Sequence, residues 1–141
     1  MPVATGSFTM KTWDETPYGV VDGGPKIAHA HSTNTYTGEI AGESSANYVI
    51  FYPEETVGVF RGYEQIAGRV GDREGSFVLE HVGSWVGSTV TTSWTVVEGS
   101  GTGALAGLSG SGGYVAKHEI PETPVTLEYE LPGKSYETAS G

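Results

Sequence analysis

The sequence predicts an all-β protein that folds as a single eight-stranded antiparallel β-barrel with little or no helix. Apolar and polar residues alternate along most of the chain, and turn-forming residues separate the alternating runs at intervals of about 8–12 residues. No window of a dozen residues repeats apolar side chains at the i, i+3, i+4 and i+7 spacing of an amphipathic helix. The alternation is clearest at residues 125–131 (VTLEYEL), where odd-numbered residues are apolar or aromatic and even-numbered ones are polar.

The remaining strands follow the same alternation in chain order. They are predicted around residues 7–12, 28–37, 47–52, 60–69, 77–85, 90–96 and 114–118, with turns at 22–25, 37–39, 53–55, 71–73 and 86–88. One-sided alternation favours a closed sheet around an apolar lumen, which in an eight-stranded barrel leaves room for side chains or one small ligand. We assign residues 1–132 to the barrel domain and residues 133–141 to a flexible C-terminal tail.

Composition argues against several classes of function. The 141 residues carry 17 acidic and 7 basic side chains, a net charge of −10, which disfavours nucleic-acid partners and anionic membrane surfaces. Cysteine is absent, which excludes disulfides, thiolate metal sites and a cysteine nucleophile. We expect neither a signal peptide nor a membrane span, because the N-terminus lacks a basic and an apolar stretch and no window approaches about 18 apolar residues. The predicted location is the cytoplasm.

Strand parity predicts an acid–base pair inside the barrel. Glu64 and His81 each lie on the apolar face of a strand whose opposite face carries charged residues. If the hairpin between these strands turns at residues 72–73, Glu64 stands directly opposite His81, and Ile66 opposite Leu79, with Cβ atoms about 4.5–5.5 Å apart across the pair. Such a buried pair is either a satisfied structural ion pair or an acid–base couple.

Several aromatic and polar side chains are predicted to share the lumen with this pair. Tyr48 is a candidate proton donor to a ligand. The candidate ligand-binding residues are Asn34, Tyr36, Tyr52, Phe77, Trp94 and Tyr129. The alternative for each aromatic residue is that it simply fills the core.

Other motifs carry weaker signals. His29 and His31 share the outer face of one strand, but no third ligand accompanies them, so we predict no metal site. Gly101, Gly103 and Ala106 match a dinucleotide fingerprint, yet the surrounding glycines prevent the helix that such a site needs. We therefore predict no cofactor and interpret residues 99–113 as a flexible loop or lid at one end of the barrel. Residues 13–18 are interpreted as a surface loop.

A family resemblance extends over nearly the whole chain. Residues 8–15 (FTMKTWDE), 75–81 (GSFVLEH) and 100–113 (SGTGALAGLSGSGG) resemble the bacterial domain-of-unknown-function 3224 family. The resemblance implies a small antiparallel barrel that is allene-oxide-cyclase-like, and hence calycin-like, and it implies no established activity. Similar barrels include cyclases and isomerases of natural-product pathways.

Two functions of different class follow as hypotheses. The first is a cofactor-free cyclase or isomerase of a small, mostly apolar, oxygenated molecule, with Glu64, His81 and Tyr48 as catalytic residues. The second is a non-catalytic carrier or sensor that uses the same lumen. A barrel packed solid by its own side chains would exclude both. A homodimer or other homo-oligomer through outward-facing apolar residues, such as Val49 and Phe51, is left open.

Overall fold

The chain forms a closed antiparallel barrel. The computed structural model describes residues 2–18, 25–117 and 119–132. Each strand pairs with the next along the chain, and the eighth pairs with the first, so the predicted all-β barrel is confirmed. The strands are β1 (Val3–Tyr18), β2 (Lys26–Gly38), β3 (Ile40–Glu54), β4 (Val57–Val70), β5 (Arg73–Val86), β6 (Thr89–Val96), β7 (Ser109–Lys117) and β8 (Glu122–Glu130), with a 3₁₀ turn at Gly103–Leu105.

The period-two pattern sets the inner face as predicted on most strands. On β2, every second residue from Ala28 to Tyr36 is buried, and this set includes the polar residues Ser32 and Asn34. On β4, Glu64 is 1% exposed between the buried positions Phe60 and Ile66. The alternation therefore places polar side chains at specific positions in an otherwise apolar interior.

A β-bulge changes the parity of β1. The pairing of β1 with β2 shifts between Met10 and Thr12, so one extra residue separates them and inward positions change from even to odd. Beyond the bulge, Trp13 pairs with the buried Ser32. Regular alternation would place Thr12 on the same face as Phe8 and Met10, but the bulge pairs it with Thr33 and so places it on the outer face. Residues 13–18 are not a surface loop, because they continue the strand.

The β4–β5 hairpin has a different register from the predicted one. Val70 pairs with Arg73, so the turn residues are Gly71 and Asp72. Gly71 has φ 59°, and a type II′ turn requires a positive φ at this first central position. Glu64 consequently pairs with Leu79 rather than with His81, which corrects the predicted direct pairing. The shift is two residues, so both side chains stay on the inner face.

One end of the barrel is packed solid. Leu105 and Leu108, which follow β6, are buried in the same core as Phe77, Trp94 and Leu127. Their segment is tied to β5 through hydrogen bonds. Thr102 Oγ1 accepts the Ser76 N–H at 3.0 Å, and Ser100 Oγ accepts the Val78 N–H at 3.0 Å.

The Gly-rich segment is therefore not a flexible loop or lid. Residues 97–108 close this end of the barrel as a packed plug, and residues 109–113 begin β7. Gly75 allows the plug to approach β5, because a Cβ there would overlap the Thr102 carbonyl oxygen.

Some predicted features lie outside the described residues. These are the tail at 133–141, His118 at the end of the predicted seventh strand, and the turn at 22–25 except for Pro25. Within the described ranges, no helix has the length and apolar character needed to cross a membrane. On the outer face, Val49 is 51% exposed and Phe51 41%; a homo-oligomer through them stays a prediction.

Candidate ligand-binding site

The end of the barrel opposite the plug contains a cavity of about 540 Å³. This volume lies within the roughly 300–1,000 Å³ range of small-molecule sites, so the barrel is not filled by its own side chains. Its apolar and aromatic walls are formed by Phe8, Met10, Trp13, Ile50, Tyr52, Phe60, Trp85, Val90, Ala116, Ile120 and Pro121. Its polar residues include Ser32, Asn34, Tyr36, Tyr48, Glu64 and Tyr114.

Glycines on β4 and β5 make room for these aromatic walls. A Cβ added to any of them would overlap an aromatic ring: Gly58 that of Trp85, Gly62 that of Tyr48, and Gly83 that of Phe60. The sequence thus places large rings against bare backbone on the neighbouring strands, and the middle of the lumen stays open.

The buried end of the cavity is organised around the Glu64 carboxylate. Tyr36 Oη donates to Oε1 at 3.0 Å and to Oε2 at 2.9 Å, and Ser44 Oγ donates to Oε2 at 2.5 Å. Asn34 Nδ2 donates to Oε2 at 3.2 Å, and His81 Nε2 lies 2.8 Å from Oε1. Four side chains from three strands (β2, β3 and β5) therefore satisfy a carboxylate that is 1% exposed, as burial of a charge requires.

His81 lies behind Glu64 and is enclosed by aromatic rings. It is 0% exposed, and its ring centroid lies 5.4 Å from those of Tyr48 and Trp94 and 6.2 Å from that of Tyr114, all edge-to-face. Its Nε2 carries the hydrogen toward Glu64, because the carboxylate only accepts. Its Nδ1 has no hydrogen-bond partner.

The tyrosine hydroxyls around the cavity remain neutral donors. Burial, followed by the nearby Glu64 charge, raises the pKa of Tyr36 well above its ordinary value. Burial raises the pKa values of Tyr48 and Tyr114 in the same direction. Tyr36 is committed to Glu64, whereas Tyr48 and Tyr114 hydrogen-bond to each other at the cavity wall, where a ligand can meet their hydroxyls.

The cavity mouth has a second polar cluster, which centres on Glu15. Its carboxylate accepts hydrogen bonds from Tyr52 Oη and, at 3.2 Å, from Trp13 Nε1. Lys26 Nζ lies 3.8 Å from Glu15 Oε2 and 4.1 Å from the Tyr52 ring centroid. Burial and the Glu15 carboxylate raise the pKa of Tyr52. These contacts join β1, β2 and β3 at the opening.

The sequence-predicted site residues fall into two groups. Asn34, Tyr36, Tyr48, Tyr52 and Glu64 line the cavity. The others lie elsewhere: His81 behind Glu64, Phe77 and Trp94 in the core of the plugged end, and Tyr129 partly buried against that core. These four reach a ligand only through other side chains.

Sequence reasoning missed several residues of the site, and four of them take part in its polar clusters or hydroxyl groups. Trp13 and Glu15 enter the cavity wall through the β1 bulge, which alternation does not reveal. Tyr114 lies on a strand whose faces were not assigned. Ser44 was detectable, because it shares the parity of Tyr48 and Ile50 on β3.

The two histidines on the outer face of β2 form hydrogen bonds to side chains of β3. His29 Nε2 lies 3.2 Å from Asn47 Oδ1, and His31 Nε2 lies 2.9 Å from Ser45 Oγ. In the described part of the chain, no group of three or more His, Cys, Asp or Glu side chains could hold a metal ion.

Comparison with known proteins gives the family. The model of the family described as "Protein of unknown function (DUF3224)" matches residues 4–129. The chain belongs to the DUF3224 family. A crystal structure of another DUF3224 protein of unknown function, from Shewanella oneidensis MR-1, is 24% identical, has a TM-score of 0.75, and aligns over 93% of this chain and 98% of its own. That likeness shows the fold. No curated protein matches the chain.

Proposed function

We propose that this DUF3224 protein binds one small, mostly apolar, oxygenated molecule in the open half of its barrel. We further propose that it acts on this molecule as a cofactor-free isomerase or cyclase of natural-product metabolism in the cytoplasm. The supporting observation is that an aromatic-walled cavity of about 540 Å³ ends on a buried, hydrogen-bonded carboxylate. Apolar walls with a few converging polar groups are typical of small-molecule sites.

The chemistry would consist of proton movement alone. Glu64 would take a proton from one atom of the substrate and return it to another, so the product has the mass of the substrate. His81, bonded to Glu64 at 2.8 Å, would stabilise its charge. The neutral Tyr48 hydroxyl would donate to the substrate oxygen as negative charge develops there. The walls would hold the substrate in a reactive conformation.

The second candidate is a carrier or sensor that binds without conversion. It is favoured by the saturation of Glu64, because donors from four residues already occupy both carboxylate oxygens. At least one of them must give way before Glu64 can accept a proton. We also propose that the barrel is related to allene oxide cyclase, a relationship that would favour the enzyme.

Occupancy of the lumen is tested first, with the neutral fluorescent dye Nile red. We expect its emission to rise on binding and Ala116→Phe to abolish that rise, because Ala116 lines the cavity. The matched control is Val115→Phe on the same strand, where the side chain is 50% exposed on the outside. Equal binding by both variants would place the dye outside the lumen and contradict the proposal.

Glu64→Gln then separates the enzyme from the carrier. The new amide can still accept from His81 and Tyr36, and rotation of the Asn34 amide would turn its oxygen toward the new NH₂ group. Wild type and variant are each incubated with a small-molecule extract and analysed by chromatography and mass spectrometry. The enzyme predicts a compound of unchanged mass at a new retention time with wild type only. The carrier predicts no new compound with either protein and a changed affinity in the variant.

A further inference from the structure

The hydrogen-bonding capacity left over at the buried end of the cavity specifies the ligand's polar group. The decisive residue is Asn34, which lines the cavity and is 3% exposed. Its Nδ2 donates to Glu64 Oε2 at 3.2 Å and to Ser44 Oγ at 3.1 Å. Its Oδ1 is buried without any hydrogen-bond partner.

The orientation of this amide is fixed by its neighbour. A carboxylate accepts hydrogen bonds and donates none, so an amide oxygen turned toward Glu64 would face another acceptor. The Asn34 NH₂ group must therefore point to Glu64, and the unpartnered atom is the oxygen. A buried acceptor without a partner costs free energy, and a ligand that carries a donor would remove this cost.

The other tyrosine hydroxyls at this end can donate to a ligand. Tyr48 and Tyr114 line the cavity as neutral hydroxyls that hydrogen-bond to each other, while Tyr36 and Ser44 are occupied by Glu64. A ligand group that meets this set must accept a hydrogen bond from a tyrosine and donate one to Asn34. A hydroxyl does both, a ketone or ether oxygen only accepts, and a carboxylate would bring a second negative charge to Glu64.

We propose that the lumen selects a neutral ligand with a hydroxyl group, an alcohol or a phenol, and discriminates against the matching ketone and carboxylate. The hydroxyl would donate to Asn34 Oδ1 and accept from Tyr48 or Tyr114. This inference rests on lumen binding, the first part of the proposed function. It names the ligand class and holds for an enzyme and for a carrier.

The test compares three probes that share one skeleton: menthol, menthone and menthane carboxylate. Each competes with Nile red for wild-type protein, and dissociation constants are confirmed by calorimetry. We expect menthol to bind roughly tenfold or more tightly than menthone, because menthone leaves a buried acceptor unpaired. We expect the carboxylate to bind weakest. Asn34→Ala should bring the menthol-to-menthone ratio close to one, while Thr35→Ala, on the outer side of the same strand, should leave it unchanged.

The outcomes separate this inference from the proposed function. If Nile red binds in the lumen but menthone matches menthol, or the carboxylate binds most tightly, the inference is overturned and lumen binding stands. If Nile red binds and none of the three probes competes, the inference is again overturned. If Nile red itself does not enter the lumen, lumen binding fails and the inference fails with it. The wild-type comparison needs no variant, so poor folding of Asn34→Ala would not block the test.

Discussion

Removing one hydroxyl group should measure how far the barrel depends on the satisfied Glu64 carboxylate. Tyr36→Phe deletes the donor that bonds both Glu64 oxygens, at 3.0 and 2.9 Å. It keeps the ring, whose centroid lies 5.5 Å from that of Phe8 and 6.4 Å from that of Trp94. A hydrogen bond to a charged group contributes about 1.5–3 kcal/mol, so we expect the free energy of unfolding to fall by about 2 kcal/mol.

Urea unfolding followed by tryptophan fluorescence measures this loss. With a slope of about 1–3 kcal/mol per molar for a small protein, the midpoint should fall by about 1 M while the slope stays constant. The matched control is Tyr63→Phe, because Tyr63 is 56% exposed on the outer face; we expect a change within about 0.5 kcal/mol. If the two variants lose equal stability, Tyr36 does not stabilise the buried carboxylate and the description of the cavity's polar end is wrong.

Two further predictions concern alkaline stability and the plugged end. Burial raises the pKa values of three of the four cavity tyrosines, Tyr36, Tyr48 and Tyr114, so the native state keeps protons that the unfolded chain releases above about pH 10. The full contribution is present below that pH, and the free energy of unfolding should then fall by up to about 1.4 kcal/mol per pH unit for each tyrosine; complete tyrosinate absorbance in a still-folded protein would contradict this. Gly75→Ala should destabilise the protein by about 1–3 kcal/mol and speed hydrogen exchange in the plug, since its Cβ would overlap the Thr102 carbonyl oxygen. The control Ala106→Ser, at an exposed position of the same segment, should change neither, and unaltered exchange in Gly75→Ala would show that the plug is not packed against β5.

The fold and part of the site could be predicted because strand parity is a strong constraint. A side chain on a regular strand has only two faces available, so charged neighbours on one face suffice to place Glu64 and His81 on the other. The β4–β5 register differs from the predicted one by two residues. Parity survives such a shift, and the two side chains still meet, now diagonally, at 2.8 Å.

The rest of the site depends on features that alternation does not encode. The bulge before Thr12 reverses parity on β1 and brings Trp13 and Glu15 to the cavity; a single inserted residue leaves no period of its own in the sequence. Alternation also does not show that the lumen is divided into a plugged end and an open end. Phe77 and Trp94 point inward as predicted, but at the end that Leu105 and Leu108 close. The position of a side chain along the barrel axis depends on strand stagger and loop packing. Phe77 and Trp94 lie outside the cavity because of their positions along this axis.

Native mass spectrometry tests the central claim most directly, that the open half of the barrel holds a small molecule. Protein purified without denaturation from the cells that naturally make it is compared with the Ala116→Phe variant expressed in the same cells. We predict that wild type carries one non-covalent compound, released by gentle activation, and that Ala116→Phe carries none. A bare chain mass for both proteins, or the same bound compound on both, would contradict the account.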